Sequence, residues 1–456
     1  MTRTSSAAAP APPVGARADH VAAGSGVAAP SARRLLGART VLLLFFAALA
    51  VRTVYCLVVL RHYVPASDAS DYYKIAVSVA DGHGLATTFP FGYVHPTAFR
   101  APLFPLLLGA VFAVTGPSLA VAQVVNVLLG STVVVLIAVL AARIGGRRAG
   151  LLAGGLAAVY PPLLANDGPP LTEALALALL LAGLLALARP ASRRTVVLAG
   201  AAIGLLVLTR TSAQLLVPLL ALWLPHVIGW RRTALFVATA AVIVLPWVAR
   251  NQIEFGKPVV VTSNGFDLAA TWSEVSLAQG KPADPVYDPR FAFLRTGSAR
   301  YNEADLDANF RREGLRGLRG NPDEIPGVIW RNTRFLLDLH LDRENGAERF
   351  DGRNLTLRFY TLPVTWLVMV LGTLGLARLW RHEGARWRRR DGRLLVLCAG
   401  YFLVVSVVAV SPPRLRAPLD ALFLVGASTL VLAWVERLRR KPARLRRRQR
   451  GAPGAP

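Results

Sequence analysis

Two carboxylates, two tyrosines and a glycine pair stand close together in PASDASDYYKIAVSVADGHG, residues 65–84. Asp68 and Asp71 share one face of a helix, where a carboxylate can cap the helix N-terminus or take a proton from a hydroxyl. The capping reading makes Asp68 the N-cap, gives the helix an apolar face of Tyr72, Ile75, Ala76 and Val79, and stops it at Gly82 and Gly84. Glu173, in PPLTEALALALL, opens an apolar run just after Pro170. An acid there favours the positive end of a helix, but at membrane depth it is costly without a partner or a cation, which makes it a functional candidate. In SPPRLRAPLDALF, Arg414 and Arg416 precede another apolar run. They can anchor that run at an interface or grip an anion, since the guanidinium fork matches phosphate oxygens. Arg100 is a further charge beside an apolar stretch. His62, His83 and His95 lack ligand spacing, so a Mg²⁺ or Mn²⁺ ion would have to rest on Asp68 and Glu173, two ligands from distant segments.

The elements that must position these groups are membrane spans. The chain has 456 residues, of which 54% are hydrophobic, and a mean hydropathy of +0.45, with the apolar residues gathered into runs of spanning length. The formal charge of +26 comes almost wholly from arginine in short segments between those runs, where it sets topology, so nucleic acid is not an expected partner. Cys56 and Cys398 both fall inside apolar runs, leaving no disulfide framework or cysteine metal site.

The expected fold is an all-α polytopic membrane protein with ten transmembrane helices, at about 37–60, 118–142, 149–165, 172–188, 195–209, 212–228, 233–249, 358–377, 394–410 and 417–436. The stretch 101–116, short and holding two prolines, reads as a surface or half-inserted helix; read as a span, it makes eleven. On ten spans every arginine-rich short linker falls on one side, the cytoplasmic one. The layout is then a disordered cytoplasmic tail at 1–36, a transmembrane module at 37–249 containing an outer loop at 61–117, an extracytoplasmic segment at 250–357, C-terminal spans at 358–436 and a basic cytoplasmic tail at 437–456. Within 250–357, Asn302 and Asn321 read as helix caps, the second helix presenting Ile325, Ile329, Leu336 and Leu339 on one face. Asp68/Asp71, Arg100, Asp167/Glu173 and Arg414/Arg416 all converge on the outer side.

The ordered set SDASDYYKIAVSVADGHG, PTAFRAPLFPLLLGA, PLTEAL, LPWVARNQIEFGKPVVVTSNGFDLA and PPRLRAPLDALF resembles bacterial GT-C glycosyltransferases, and within them the family 39 type related to protein mannosyltransferases and lipid A aminoarabinose transferases. The resemblance covers most of 37–436. It implies a plasma-membrane enzyme that takes a sugar from a polyprenyl-phosphate donor and passes it, with inversion, to a lipid, glycan or protein acceptor on the extracytoplasmic face. It implies Asp68 as general base with Tyr72 four residues on, Glu173 as the second acid, and Arg100, Arg414 and Arg416 as substrate-binding groups. Leu415 stands where an aromatic is expected between the arginines, and Ala69 follows Asp68 in place of a second acid. A transporter or flippase of a lipid-linked or small polar substrate is the alternative; it calls for polar groups at the bilayer midplane and inverted repeats, and neither is visible. A third reading is a membrane scaffold whose outer segment binds a partner.

Overall fold

The computed structural model describes residues 36–292, 294, 301–339, 352–381, 385–409 and 412–450, with side chains up to Arg439 in the last helix and without that of Arg386. The tail expected at 1–36 lies outside them except for Leu36, as do 340–351 of the segment 250–357 and the last six residues of the basic tail. Its preceding part, from 437, is helical through Arg450.

Among the described residues the chain is helical apart from one antiparallel strand pair, β1 (Ala86–Thr87) and β2 (His95–Pro96). The helices are α1 (Ala38–Val58), α2 (Ser67–Ala80), α3 (Leu103–Thr115), α4 (Leu119–Gly145), α5 (Arg147–Val159), α6 (Pro161–Asp167), α7 (Glu173–Ala188), α8 (Arg193–Val207), α9 (Leu216–Trp223), α10 (Pro225–Ile228), α11 (Trp230–Phe255), α12 (Asn264–Trp272), α13 (Glu274–Gln279), α14 (Glu303–Gly320), α15 (Ile325–Leu336), α16 (Leu355–Trp380), α17 (Arg386–Val408) and α18 (Ala417–Arg450). Each of the ten apolar runs falls on one or more of them. Six stretches are long and apolar enough to cross a bilayer: α1, α4, α11, α16, most of α17, and Pro413–Arg439. The pair α5 and α6, bent by 57°, makes a seventh if it is one broken span. The helices at 173–188, 193–207 and 216–223 are shorter than the ~20 residues a perpendicular crossing needs. Helix α3 has thirteen residues, ~20 Å of length. The chain is a multi-pass membrane protein.

The spans pack through small residues, as expected where lipid removes the hydrophobic drive between helices. Gly375 of α16 lies against the backbone of Gly426 in α18, so close that an added Cβ would sit 2.1 Å from the Gly426 carbonyl oxygen. The main apolar core joins α4, α5, α7, α8, α16, α17 and α18. Two buried ion pairs fix it laterally. Arg52 of α1 reaches Asp167 at 2.7 Å and the carbonyls of Ala157 and Ala158, and Arg143 of α4 reaches Asp391 of α17 at 2.9 Å.

The segment between α11 and α16 folds over one end of these helices. Asn302 caps α14 as expected, accepting from the Ala304 and Asp305 amides. At the second expected cap the chain first makes a 3₁₀ turn, Pro322–Glu324, and the Asn321 side chain donates backwards to Gly317. The buried face of α15 is Val328, Asn332 and Leu336, rotated from the expected Ile325, Ile329, Leu336 and Leu339. Asn332 sets that rotation by donating to the carbonyls of Val407 and Ala409, both at 2.9 Å, at the open end of α17. Helix α14 is tied to the loop after β2: Glu303 accepts from Thr97 Oγ1 at 2.7 Å and from the Ala98 amide at 2.8 Å.

The crossing of α16 and α18 has a measurable consequence. Gly375→Ala should cost about 1–3 kcal/mol through overpacking, read as a lower melting temperature in detergent. Gly400→Ala in α17, where a Cβ meets nothing within 4 Å, should leave melting unchanged or raise it.

Candidate active site

Asp68 does not cap its helix. The N-cap of α2 is Ala66 and makes no side-chain cap bond, so Asp68 falls inside the first turn with its carboxylate directed away from the helix end. Its two oxygens are divided between two arginines, Oδ1 accepting from Arg100 and Oδ2 from Arg414. The Arg100 Nη2 also donates to Asp71 Oδ2 at 2.8 Å. On the other side, Arg414 Nη1 lies 3.8 Å from Glu173 Oε1, which Arg210 Nη1 approaches to 3.2 Å. Asp71, Arg100, Asp68, Arg414, Glu173 and Arg210 thus form one line of alternating charge assembled from five separate stretches of chain.

Local structure holds each member. Arg100 is gripped on its faces by aromatic rings, with its guanidinium carbon 4.9 Å from the Phe99 centroid and 5.6 Å from that of Tyr72. Tyr72 is itself set edge-on to Phe104 of α3 at 5.7 Å. Glu173 is the first residue of α7, 2% exposed, and its Oε2 has no hydrogen-bond partner among the described residues. Arg414 is carried by a 3₁₀ turn, Pro413–Arg416, that leads into α18.

These residues line a cavity of about 970 Å³. The cavity is also lined by the loop around Phe89 and Phe99 and by the first turn of α12, with Asn264, Phe266 and Asp267. Burial opposes ionisation of Asp68, but the guanidiniums of Arg100 and Arg414 outweigh it and hold the carboxyl well below the usual carboxylate range. For Asp71 burial prevails over the pull of Arg100, and its pKa is raised. Asp267 is pushed up to about 7, chiefly by burial, with the attraction of Arg100 and Arg414 too weak to offset it.

Of the residues singled out in the sequence, Asp68, Asp71, Tyr72, Arg100, Glu173 and Arg414 meet at this cavity. Arg416 does not join them. It is fully buried and donates to Asp338 at 2.8 Å, to Asp420 at 3.0 Å and to the Leu336 carbonyl at 2.6 Å, a knot that fastens the start of α18 to the end of α15. Asp167 is likewise taken up by Arg52. The guanidinium of Arg414 stands between Asp68 and Glu173, and among the described residues no group of three or more His, Cys, Asp or Glu is clustered. Arg210 and Asp267 are additional. Arg210 had a readable signal, an arginine at the outer end of the run 195–209 against the positive-inside trend. Asp267 had none.

The different surroundings of the two C-terminal arginines separate their effects. Arg416→Ala leaves Asp338 and Asp420 buried beside a lost cation and should cost about 3–5 kcal/mol of stability. Arg414→Ala should lower the melting temperature far less, because Asp68 keeps Arg100 and Glu173 keeps Arg210.

Known proteins share this architecture. Residues 95–251 match the family described as dolichyl-phosphate-mannose-protein mannosyltransferase. The oligosaccharyltransferase AglB of Archaeoglobus fulgidus in its apo form superposes with a TM-score of 0.52 at 14% identity, covering 92% of this chain and 53% of that one. Its complex with an inhibitory peptide and a dolichol-phosphate gives 0.51 at 14% identity, over 91% and 52%. ArnT of Cupriavidus metallidurans is more distant in shape, with a TM-score of 0.41 at 16% identity over 86% and 77%. The chain therefore spans about half the length of the archaeal enzyme. No curated protein matches it in sequence. Helices, their order and their packing give this chain the GT-C fold that its sequence resembles.

Proposed function

We propose that the protein is a membrane glycosyltransferase that moves a sugar from a polyprenyl-phosphate carrier to an acceptor hydroxyl, with inversion, on the extracytoplasmic face of the plasma membrane. The observation that carries this reading is Asp68 held between Arg100 and Arg414 on the cavity wall. A carboxylate able to accept a proton stands there beside two cations able to receive a phosphate. The match of 95–251 to a mannosyltransferase family and the fold shared with a protein crystallised with a dolichol-phosphate support a polyprenyl phosphate as the leaving group.

In the proposed step the acceptor oxygen bonds to the anomeric carbon while its proton passes to Asp68. The bond from that carbon to the phosphate oxygen breaks, and its electron pair leaves on the carrier phosphate. Arg100 and Arg414 stabilise the charge that develops there. Glu173, between Arg210 and Arg414, keeps the second guanidinium aimed at the cavity. The arginines that depress the Asp68 pKa also make it a weak base while they are turned on it. A donor phosphate that takes over their hydrogen bonds makes Asp68 more basic when a proton has to be accepted.

The sidedness belongs to the same reading. If the six membrane-length helices, the bent pair and the helices at 173–188, 193–207 and 216–223 each cross once, the count is ten, and Asp68, Arg100, Glu173, Arg210 and Arg414 all fall at outer ends.

Two tests follow. Asp68→Asn should retain fold and donor binding, since Arg100 still has Asp71 and Arg414 still has Glu173, yet lose about 10²–10⁴-fold in turnover. Asp71→Asn should lose far less. Equal turnover of Asp68→Asn and wild type would remove Asp68 from the chemistry. For topology, single cysteines at the exposed positions Gln279 and Ala385, in a chain lacking Cys56 and Cys398, should react with an impermeant thiol reagent from opposite sides. Reaction from one side would overturn the ten crossings.

A further inference from the structure

The part of the cavity wall formed by Phe89, Phe99, Phe266 and Asp267 is not used by the step above, and it is built from a different kind of residue. Phe89, Phe99 and Phe266 pack as a group, with centroids 5.1 Å apart for Phe89 and Phe99, 5.4 Å for Phe99 and Phe266 and 6.3 Å for Phe89 and Phe266. The group begins at the arginine clamp, since Phe99 is the ring beneath the Arg100 guanidinium. It ends at Asp267, which follows Phe266 in the first turn of α12 and lines the same cavity.

That turn is held rigidly. The Gly265 amide donates to Asp307 Oδ1 at 2.5 Å, and a Cβ on Gly265 would lie 1.9 Å from the Asp307 carbonyl oxygen, so α12 docks on α14 at a distance only glycine allows. Phe266 also packs edge-on to Phe310 of α14 at 5.8 Å. The side chains of residues 266 and 267 are thereby fixed at the cavity. Among the described residues no hydrogen bond or ion pair engages the Asp267 carboxylate, although Arg100 and Arg414 are near enough to be felt and Asp68 and Asp307 oppose its charge. The Asp267 carboxylate lines the cavity and is placed to accept from the hydroxyls of a ligand bound there.

We propose that this wall is the subsite for the sugar of the lipid-linked donor, with Phe89 and Phe266, backed by the buried Phe99, packing against the apolar face of the ring and Asp267 accepting hydrogen bonds from its hydroxyls. It rests on the reading of the cavity as a polyprenyl-phosphate-sugar site. A sugar bonded directly to a phosphate held by Arg100 lies within one ring's width of Phe99, which places it against this wall. Aromatic faces attract the partly positive C–H groups of a saturated ring, and a carboxylate can accept from two neighbouring hydroxyls at once. The same wall selects a neutral sugar. A sugar carrying its own carboxylate would add a negative charge beside Asp267, Asp68 and Asp71 without adding a cation.

The test is binding to the full-length protein in detergent, by calorimetry, of decaprenyl phosphate and of its mannose, glucose and glucuronate conjugates. Wild type should bind at least one neutral conjugate about tenfold or more tightly than bare decaprenyl phosphate, and the glucuronate conjugate no more tightly than the bare lipid. Asp267→Asn and, separately, Phe266→Leu should each bring the neutral conjugate down to the affinity of the bare lipid without weakening the bare lipid. If both variants keep the full gain, or if glucuronate binds best, the subsite is overturned while the lipid-phosphate reading stands. If wild type binds no lipid phosphate better than Arg414→Ala does, that underlying reading fails and the subsite fails with it.

Discussion

The arrangement depends on one contact, Arg414 against Asp68, which joins residues 346 positions apart in sequence. Asp68 belongs to the first helix outside α1, and Arg414 to the turn that starts the last span. Charges buried near a membrane need partners, because each one buried alone carries a desolvation cost of several kcal/mol. Glu173 at the head of a largely buried helix is acceptable because Arg414 and Arg210 approach it, and Asp71 because Arg100 does. Each carboxylate of the line is thus matched by a guanidinium from another part of the chain. The ends of α2, α7, α8 and α18 are drawn to one place by electrostatics as much as by packing.

The same turn carries Arg416, and the contrast between its two arginines follows from backbone geometry. In a 3₁₀ turn three residues complete a revolution, so side chains two apart are directed about 240° apart around the axis. One arginine of the PRLR turn faces the cavity and the other is buried against Asp338 and Asp420. Tyr160 adds a hydrogen bond to Asp420 at 3.2 Å. The buried knot anchors the end of α15 and the head of α18, and that anchoring gives Arg414 a fixed position from which to reach Asp68.

Much of this was legible in the sequence, for identifiable reasons. Apolar runs announce spans because the bilayer imposes their length, and all ten runs are helical here, although the helices at 173–188, 193–207 and 216–223 are too short for length alone to settle a crossing. Charges placed beside apolar runs marked Asp68, Arg100, Glu173 and Arg414, because an ionised group at membrane depth is costly and needs a compensating partner. What was not legible depends on direction and tertiary contact. The spacing of RLR does not tell which arginine faces a cavity, and the Asp68 cap could not be distinguished from an Asp68 ion pair until Arg100 and Arg414 were located. The face of α15 was misplaced because Asn332, a polar residue, is buried by the open carbonyls of α17. Asp267 sits in an unremarkable first-turn position, where an acid ordinarily serves the helix dipole, and only the docking of α12 on α14 directs it into the cavity.

The charge balance of the site bears on how the proposed reaction could be ordered. Three carboxylates and three guanidiniums leave the line neutral, so a phosphate that binds at Arg100 and Arg414 must exchange with a carboxylate for them. Asp68 is the carboxylate to be exchanged, because its two oxygens accept hydrogen bonds from Arg100 and Arg414, whereas Asp71 meets Arg100 and Glu173 lies beside Arg210 and Arg414. Its pKa is low only through those two contacts, since burial by itself raises it. Transferring the guanidiniums to phosphate therefore leaves Asp68 buried and less compensated, the condition in which a carboxylate becomes a competent base. In the proposed reaction, donor binding and base activation become one event.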